Sequence, residues 1–391
     1  MKILVTGCCG FIGSHVWRQL ERTHELLGID AFEPQVHGDK PVYPDDGRIN
    51  VLTVGRASTP GVAKRLWDVD AVIHLAAVVG VGQSQYEATR YVRGNVLETV
   101  QLCERVIAHR QRIRKLVVAS SMSVYGEGEY ANFGDGVVRL RRQPSRGWDA
   151  FDVVWPDGIV QDVREELQPR PTRETKRPQP ASVYAQTKLD TEQYAMLLGE
   201  TYGIPTVALR FWNCYGQGQA LANPYTGAVA QFACRVLNGQ PPLVYEDGRQ
   251  LRDFIHVSDV AAAVVRAVEQ EDLHGIYNVC TGQGTPIVQL ADDWCRIAHD
   301  DYHMPTLLPD ILQTYRAGDV RHCFGDPTTF AKVSGWEATV DVRWGLRGLA
   351  TWLQQGGALA MPPPDRSAAA RAALQERGLE RGGESMSVTN G

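Results

Sequence analysis

A short apolar run that leads directly into three evenly spaced glycines constrains this chain more than any other feature. The stretch ILVTGCCGFIGSH places Gly7, Gly10 and Gly13 three residues apart, close to the first residue. Residues 2–6 are typical of a buried strand, and from Phe11 apolar residues recur at the spacing of a helix face. The glycines therefore lie in a tight turn between a strand and a helix.

Such a turn directs backbone N–H groups and the positive end of a helix at an anion, and without Cβ atoms the backbone can approach a pyrophosphate closely. A second strand, over residues 24–30, ends in Asp30, about 20 residues after the turn, where a carboxylate can accept both hydroxyls of an adenosine ribose. The same carboxylate would repel a 2′-phosphate, and Ala31 and Phe32 supply no cation for one. The sequence therefore predicts NAD, rather than NADP, as the cofactor.

Strands and helices continue to alternate after this unit. Residues 69–76 and 115–121 are typical of buried strands, and residues 87–109 of a helix. We expect the buried face of that helix to carry Val92, Val96, Val100 and Cys103. The alternation predicts an α/β fold of the Rossmann type, with a doubly wound parallel sheet and ligands at the carboxyl ends of its strands.

Composition excludes several classes of function. The 391 residues are 43% apolar and 22% charged and carry a net charge of −5, which argues against a general nucleic-acid binder. No apolar run approaches the roughly 20 residues that cross a bilayer, and the strand at residues 2–6 argues against a signal peptide. None of the eight cysteines lies in a C-x-x-C pair, so we expect a reduced, cytoplasmic protein without a structural metal.

The candidate catalytic pair lies in the segment SVYAQTK, which places Tyr184 and Lys188 four residues apart. The surrounding sequence is helical, so the two side chains share a face. A Lys ammonium beside a Tyr hydroxyl stabilises the phenolate and is expected to lower the pKa of Tyr184. A tyrosine of that kind can act as a base or an acid near neutral pH.

Together these motifs resemble the extended short-chain dehydrogenases/reductases, and within them the NAD-dependent nucleotide-sugar epimerase/dehydratase family, over roughly residues 1–355. The resemblance rests on the segments TGCCGFIGS, HLAA, SSMSVYG, SVYAQTK, RFWNCYG, RDFIHVSDVA and RAGDV. It implies a Rossmann-type NAD-binding domain followed by a smaller C-terminal α/β subdomain that binds a nucleotide-diphosphate sugar.

The resemblance assigns catalytic and cofactor-binding roles. Ser121 matches the catalytic Ser/Thr of the family, with Ser123 as a second hydrogen-bond donor, and Tyr184 and Lys188 match its Y-x-x-x-K pair. The residues expected to contact NAD are Gly7, Gly10, Phe11, Ile12, Gly13, Asp30, Ala57, Leu75, Ala76, Ala77, Asn95, Ser120, Tyr184 and Lys188.

On the substrate side, the resemblance implies that Asn213, Arg252 and Arg316 hold the diphosphate. Two arginines and an amide would bind a doubly negative diphosphate through charge-assisted hydrogen bonds. Asp319 is implied to contact the nucleotide ribose. The other residues expected to contact the substrate are Val79, Gly80, Ser121 and Tyr245.

The residues after Ser121 indicate which of the reactions known for this family the chain can catalyse. Its dehydratases carry an Asp-Glu pair there, whereas this chain has Met122 and Ser123, which cannot deliver a proton for the elimination of water. Oxidation and reduction at C4 remain, so we expect a 4-epimerase, with an NAD(P)H-dependent ketoreductase or a non-catalytic NAD(H)-sensing protein as alternatives. Finer resemblances, among them VGVGQSQYEATRYV and NPYTGAVAQF, favour the subgroup of dTDP-L-rhamnose 4-epimerases.

Three regions are expected along the chain. The NAD-binding domain spans 1–215, and the nucleotide-sugar-binding subdomain spans 216–358, with a return to the first domain near 251–281. Residues 127–180, which separate the catalytic serine from the catalytic tyrosine, are expected to form an irregular insert. Residues 359–391 have the composition of a mobile tail with a short helix.

The chain departs from the family pattern at two places. Arg56 stands where the family often has an acid that reads the adenine amine, so adenine contact is expected from the backbone near Ala57. The insert carries three arginines that could meet phosphates, although a solvated loop is the simpler interpretation: Arg139, Arg141 and Arg142. The family also implies a homodimer, paired through helices of the NAD-binding domain.

Overall fold

The structure is a computed structural model that describes residues 1–38, 52–54, 68–131, 139–143, 148, 150–154, 160–163, 168–358 and 360–382. Arg56 and Ala57 lie outside these residues, so the predicted adenine contact stays a prediction.

The strands of the described residues are β1 (Lys2–Thr6), β2 (Glu25–Asp30), β3 (Leu52–Val54), β4 (Ala71–His74), β5 (Lys115–Ser121), β6 (Glu129–Tyr130), β7 (Arg139–Arg142), β8 (Phe151–Val154), β9 (Val160–Val163), β10 (Pro169–Arg170), β11 (Thr206–Phe211), β12 (Asn213–Tyr215), β13 (Leu243–Val244), β14 (Leu251–Arg252), β15 (Phe254–His256), β16 (Gly275–Val279), β17 (Thr285–Pro286), β18 (Asp310–Ile311), β19 (Thr314–Arg316) and β20 (Glu380–Gly382).

The helices of the same residues are α1 (Phe11–Leu20), α2 (Pro34–His37), α3 (Val81–Ser84), α4 (Ala88–Tyr91), α5 (Glu98–Ala108), α6 (Val183–Tyr202), α7 (Ala228–Leu237), α8 (Val257–Glu269), α9 (Ile287–Tyr302), α10 (Thr328–Ser334), α11 (Val342–Gln355) and α12 (Ser367–Glu376). A π-helical turn, Val92–Leu97, joins α4 to α5, and a 3₁₀ turn, Met122–Tyr125, follows β5.

Parallel strands form a central sheet in the order β16-β11-β5-β4-β1-β2-β3. Leu4 of β1 lies opposite Leu27 of β2 and Val72 of β4. Strands run outward from β1 in both directions, so the order reverses between β1 and β4, and the carboxyl ends of these two strands border the crevice where such sheets bind ligands. The predicted doubly wound parallel sheet is confirmed.

Alternating residues of each strand fill two apolar layers. Val5 belongs to the cluster beneath α1 and α8, whereas Leu4 belongs to the cluster beneath α5 and α6. Because both faces are covered by helices, the strands are largely apolar on both faces rather than alternately polar. The helices on both faces of the sheet hold the ends of the strands in place, and therefore also the residues that follow each strand.

The helix predicted over residues 87–109 is present, but only part of its predicted face is buried. Cys103 is 2% exposed as expected, whereas Val92 is 47% exposed, and the buried residues in the first part are Tyr91, Asn95 and Thr99. The cause is the π-helical turn, in which each turn takes up more residues than in an α-helix, so that a pattern read at 3.6 residues per turn loses its phase.

A second apolar cluster lies at the other side of the crevice. Helices α7, α9 and α11 contribute Phe232, Leu290, Trp294 and Leu346 to it. Between α7 and α9 the chain returns to the first layer, where α8 packs on α1 and β16 pairs with β11. The crevice therefore lies between two apolar clusters, and consecutive segments of the chain contribute to one cluster and then to the other.

The insert is more regular than predicted. Strands β7, β8 and β9 form an antiparallel sheet, and β6 pairs with β10. The sequence of β8 alternates, and its Phe151 and Val153 are fully buried. A few apolar residues at period two are enough to order short strands within a segment whose composition resembles a loop.

The C-terminal segment also differs from the prediction. The short helix is present as α12, but residues 360–382 pack against the rest of the chain instead of forming a mobile tail. Strand β20 pairs antiparallel with β19, where Arg316 lies opposite Glu380. Among the described residues, no helix combines the length and the apolar character that a membrane crossing requires.

Candidate active site

A cavity of about 600 Å³ lies between the carboxyl edge of the central sheet and the second apolar cluster. Nearly all of the predicted site residues line it. The exceptions are Asn95, which lies behind the cavity wall, and Ala57, which is outside the described residues. The sequence motifs therefore converge on one crevice.

The glycine turn forms one end of the cavity, and its packing excludes side chains. Gly7 has a φ of +71°, and a Cβ there would lie 2.8 Å from the backbone nitrogen of Ala76. A Cβ on Gly13 would lie 2.0 Å from the carbonyl oxygen of Gly7. Helix α1 therefore sits directly on the turn, and its first N–H groups, which have no partner within the helix, adjoin the cavity. This arrangement fits a dinucleotide pyrophosphate.

Asp30 ends β2 beside this turn. Its two carboxylate oxygens accept hydrogen bonds from the backbone amides of Cys9 and Phe32, each at 2.9 Å, and His37 Nε2 lies 3.5 Å away. Burial alone would raise the pKa of Asp30, but hydrogen bonds from His37 and from the two amides outweigh it and hold the pKa below its ordinary value. The residue is thus an ionised acceptor in the position that a ribose diol requires.

Cys8 and Cys9 place two sulfur atoms near the Asp30 carboxylate, with ligand atoms of the three residues within 4.8 Å of one another. The thiols lie 3.8 Å apart. This hydrogen bond, together with burial, raises the pKa of Cys8 far above its ordinary value, so the thiol stays protonated. A protonated thiol is a poor metal ligand, and the carboxylate is already held by amides, so the group fits packing better than a metal.

Asn95 supports the cavity from behind. Its side-chain oxygen accepts the Val78 amide at 2.7 Å, and its nitrogen donates to the Val78 carbonyl at 3.0 Å and to Thr187 Oγ1 at 3.0 Å. The predicted contact of Asn95 with the cofactor stays a prediction, and Asn95 is not among the residues that line the cavity. Asn95 instead fixes the strand-end backbone that leads to Val79 and Gly80, both of which line the cavity.

Ser121 and Tyr184, the predicted catalytic serine and tyrosine, both line the cavity. Ser121 ends β5, and its hydroxyl accepts hydrogen bonds from Ser123 Oγ at 2.9 Å and from the Ser123 amide at 3.2 Å. Burial raises the pKa of Tyr184, and a hydrogen bond with Ser121 opposes that rise without cancelling it. The expected lowering of the tyrosine pKa by lysine is therefore not found, because desolvation of the phenolate is the larger effect.

Lys188 lies one turn further along α6. It is 3% exposed, and its ammonium donates a hydrogen bond to the carbonyl oxygen of Ala119 in β5. Burial lowers the pKa of Lys188 to about 8, although Glu192 acts in the opposite direction. The lysine is thus tied to the sheet beside Ser120 and Ser121 and carries a charge that is lost at moderately alkaline pH.

The other end of the cavity carries the residues predicted to hold a diphosphate. The guanidinium of Arg252 donates to the backbone carbonyls of Leu251, Val320 and Arg321, so its charge has no acidic partner among these contacts. Asn213 donates its side-chain N–H to the carbonyl of Asp253 at 3.0 Å. Both side chains line the cavity.

Arg316 and Asp319 form a pair at the same end. Arg316 Nε donates to Asp319 Oδ2 at 2.8 Å, and the guanidinium carbon lies 4.5 Å from the centre of the Tyr245 ring. The planar group is thus held from two directions, by a carboxylate and by an aromatic face. A cation fixed in this way is suited to a planar, bidentate contact with phosphate oxygens.

Two contributions to this end were not predicted. Arg142 of the insert lies 2.6 Å from Glu246 of the cavity wall, rather than in a solvated loop. Residues of α12 also line the cavity, although their sequence gave no motif.

A Cβ at Gly80 would lie 2.8 Å from the Tyr91 hydroxyl and 2.9 Å from Tyr225, which explains why only glycine fits there.

Comparison with known proteins agrees with this geometry. The NAD dependent epimerase/dehydratase family matches residues 3–142 and 159–280. A dTDP-L-rhamnose 4-epimerase from Burkholderia thailandensis is 32% identical over 361 residues, which cover 90% of this chain and 95% of that protein.

Solved structures are similar over the same extent. MoeE5 in complex with UDP-glucuronic acid and NAD is 26% identical, with a TM-score of 0.70 over 91% of this chain and 100% of the other. UDP-glucose 4-epimerase from Thermus thermophilus in complex with NAD is 28% identical, with a TM-score of 0.69 over 90% and 99% of the two chains.

A Rossmann-type sheet with this glycine turn and a Ser-Tyr-Lys set defines an NAD-dependent enzyme of the extended short-chain dehydrogenase/reductase type. Within that class, the chain belongs to the NAD-dependent epimerase/dehydratase family. The predictions of the family and of NAD as its cofactor are confirmed.

Proposed function

We propose that this protein inverts C4 of a nucleotide-diphosphate hexose, through a transient 4-keto sugar, and that its substrate is a TDP-6-deoxyhexose. The observation that carries the proposal is that Ser121, Tyr184 and Lys188 line one cavity together with Arg252 and Arg316. The similarity to a dTDP-L-rhamnose 4-epimerase supports the choice of sugar.

The residues after Ser121 support epimerisation over dehydration. Met122 is buried and Ser123 donates to Ser121, so neither offers a carboxyl group to the sugar. Elimination of water needs an acid beside C6 and a base beside C5. Chemistry at C4 alone needs one group that moves a proton at the 4-hydroxyl, and Tyr184 is placed for that role.

Bound NAD would supply the acceptor and donor of the C4 hydride. The Tyr184 oxygen, as the phenolate, removes the proton of the 4-hydroxyl and later restores it. Ser121 donates a hydrogen bond to the same sugar oxygen and fixes it beside the tyrosine, while Ser123 orients the serine hydroxyl. The Lys188 ammonium, held by the Ala119 carbonyl, supplies positive charge beneath the tyrosine.

Inversion requires that the sugar present its other face before the hydride returns. The groups proposed to hold the diphosphate and nucleotide, which include Arg252, Arg316 and Asp319, line the same cavity as Tyr184. An anchor remote from C4 lets the sugar rotate about its phosphate linkage without release. The oxidised sugar is thereby retained until it is reduced.

Conversion without added cofactor tests the proposal. The purified protein would be incubated with TDP-rhamnose, UDP-glucose and UDP-glucuronic acid, and the C4 epimers resolved by chromatography and proton NMR. A fixed epimer ratio without added NAD supports an epimerase that recycles its cofactor. Product only from a 4-keto sugar with stoichiometric reduced cofactor would instead establish the ketoreductase.

Replacement of the catalytic tyrosine separates the enzyme from the NAD(H)-sensing alternative. Tyr184→Phe is expected to lower kcat by about a thousandfold, since it removes the group that transfers the proton. Tyr194→Phe, on the same helix but 44% exposed, is the matched control and is expected to keep full activity. A Tyr184→Phe protein as active as the control would overturn the proposed mechanism.

We also propose that the protein acts as a cytoplasmic homodimer. Large apolar side chains are exposed on adjoining elements, with Val92 and Leu97 on the π-helical turn and Leu197 on α6. All eight cysteines are free, which suits a reducing compartment. Leu197→Glu is expected to give a monomer in sedimentation analysis, whereas Leu308→Glu, at another exposed apolar side chain, is expected to leave a dimer.

A further inference from the structure

The C-terminal segment contributes a wall to the substrate end of the cavity. We call residues 365–382 the C-terminal strap; they comprise α12 and β20. Ser367, Ala370, Arg371 and Leu374 of this strap line the cavity. The strap lies outside residues 3–142 and 159–280, which match the family. The family match therefore assigns no role to the strap, which has to be inferred from its contacts.

The strap is attached on both sides of the cavity. Near its start, Arg235 of α7 donates to Asp365 and to Ser367 Oγ, at 3.0 and 2.9 Å. Leu374 is 5% exposed and packs on Gly82, where a Cβ would lie 3.3 Å from Leu374 Cδ2. The strap thus spans from the second apolar cluster to the residues that follow β4.

Its last part is joined to the strand that carries Arg316. Strand β20 pairs with β19, and the amide of Ala317 donates to the carbonyl of Leu379 at 2.7 Å. Glu380, whose side chain is 2% exposed, lies opposite Arg316 in this pairing. The pairing of β19 with β20 therefore fixes both the strap and Arg316, which is predicted to bind the diphosphate.

Within the strap, Arg371 presents a positive charge to the cavity. Its Nε donates to Glu380 Oε1 at 2.8 Å, and its Nη2 lies 2.7 Å from the same oxygen. In the described part of the chain, Nη1 has no hydrogen-bond partner. Glu380 thus holds one edge of the guanidinium and leaves the other edge available to an acceptor in the cavity.

Glu380 links Arg371 to Arg316, because it pairs with Arg371 at 2.7 Å and lies opposite Arg316 in the pairing of β19 with β20. Burial raises the pKa of Tyr245; the charges of both arginines oppose that rise, and those of Glu380 and Asp319 add to it. Arg316 is stacked on the ring at 4.5 Å. Two guanidinium groups that line one cavity, one held by Asp319 and the other by Glu380, form a site for an anion that carries several oxygens.

We propose that Arg371 binds the diphosphate of the nucleotide sugar, so that the C-terminal strap is part of the substrate site. The inference rests on the proposed function, because that function supplies the diphosphate. Arg371 then shares the anion with Arg316 and Arg252, and the strap joins the two sides of the cavity around the bound nucleotide.

The test is nucleoside diphosphate binding to the full-length, NAD-saturated protein, measured by calorimetry with TDP and UDP. The variant Arg371→Gln with Glu380→Gln replaces the ion pair by two amides, which can still hydrogen-bond each other. Arg381→Gln is the control, since Arg381 lies in the same strap, is exposed and donates to the carbonyl of Gly378. Thymidine and uridine, which have no phosphate, serve as the second probe pair.

The double variant is expected to bind TDP or UDP about tenfold to a hundredfold more weakly, as for the loss of one charge-assisted hydrogen bond. Its affinity for the matching nucleoside should not change, and Arg381→Gln should behave as the wild type. Tryptic cleavage after Arg377 at the wild-type rate would show that the strap is still in place.

Equal affinity of the wild type and the double variant for the diphosphate overturns the inference and leaves the proposed function standing. So does a loss of affinity that is the same for nucleoside and diphosphate, or one that accompanies rapid cleavage after Arg377. If the wild type binds neither TDP nor UDP, the proposed function itself fails.

Discussion

The two ends of the cavity are built by different means. At the cofactor end, Gly7, Gly13 and Asp30 belong to one β-α-β unit, and backbone groups both shape the turn and hold the carboxylate. The other end, around Arg252, Arg316 and Arg371, is the one that we propose binds the nucleotide, and we call it the nucleotide end. Charged side chains from separate parts of the chain line it. The cofactor end therefore depends on the absence of side chains, and the nucleotide end on the pairing of charges.

The largest expected change in stability comes from breaking the ion pairs buried beside the nucleotide end. Arg321 is 1% exposed and lies 2.9 Å from Glu246 and 2.6 Å from Asp247. Arg321→Met is expected to lower the free energy of unfolding by about 3–5 kcal/mol, because it removes one of the two buried cations beside Glu246 and breaks the ion pair with Asp247. Urea denaturation measures the change.

The matched control is Arg343→Met, which removes a cation 59% exposed and 3.2 Å from Asp293. A surface pair of that kind is worth less than about 1 kcal/mol. If both variants lost the same small amount, the nucleotide end would not depend on buried charge, and the contrast with the cofactor end would be broken.

The glycine turn offers the next largest effect. In Gly13→Ala the new methyl group would lie 2.0 Å from the Gly7 carbonyl oxygen, so α1 has to move away from the turn. We expect a loss of about 2–3 kcal/mol in stability and a clear loss of NAD affinity in calorimetry. Gly10→Ala, with its nearest atom at 3.2 Å, should show a smaller loss of both, and the reverse order would contradict the packing described.

A difference in pH response should also separate the two ends. The pKa of Lys188 is lowered by burial to about 8, so its ammonium is present below that pH and is lost above it. We expect kcat/KM to fall above pH 8, approaching tenfold per pH unit. The arginines of the nucleotide end stay protonated, so the affinity for TDP should not change over the same range.

Lys188→Arg sharpens this comparison. An arginine stays charged above pH 8, so any residual activity of the variant should lose the alkaline limb. Retention of the limb at the same pH would assign it to another group.

The smallest effect concerns glycines within the nucleotide half. Gly348 lies inside α11, and the nearest atom to an added Cβ is Gln217 Nε2 at 3.9 Å. Gly348→Ala is expected to stabilise the protein by about 1 kcal/mol, because alanine favours the helix. Gly345→Ala, where the Tyr215 hydroxyl is 2.1 Å away, should destabilise it. Thermal unfolding of both variants would show whether this half tolerates side chains wherever space exists.

The features predicted from the sequence are those encoded by neighbours in the chain. The strand over residues 2–6 and the strand ending in Asp30 are where the apolar runs place them. Tyr184 and Lys188 share α6, as their spacing of four requires. Such patterns are read directly because sheet position and helix phase are set over a few residues.

The features that were missed depend on contacts between distant segments. The pairing of Arg142 with Glu246 and of β19 with β20 has no local signal, since the partners are far apart in the chain. The pKa of Tyr184 was predicted in the wrong direction because burial, which outweighs the helix spacing, is set by the whole fold. Ion pairs between distant residues, and the burial of a side chain, therefore cannot be predicted from spacing in the sequence and become known only from the folded structure.

The π-helical turn has a consequence for how this part of the chain can change in length during evolution. Deletion of one residue from Val92–Leu97 would restore a regular helix and rotate the residues on one side of the deletion by about 100° relative to the other. Asn95 could then no longer hold both polar groups of Val78 while Thr99 stays buried. Insertions and deletions here are thus coupled to the shape of the cavity, and relatives that differ in length at this turn should differ in the sugars they accept.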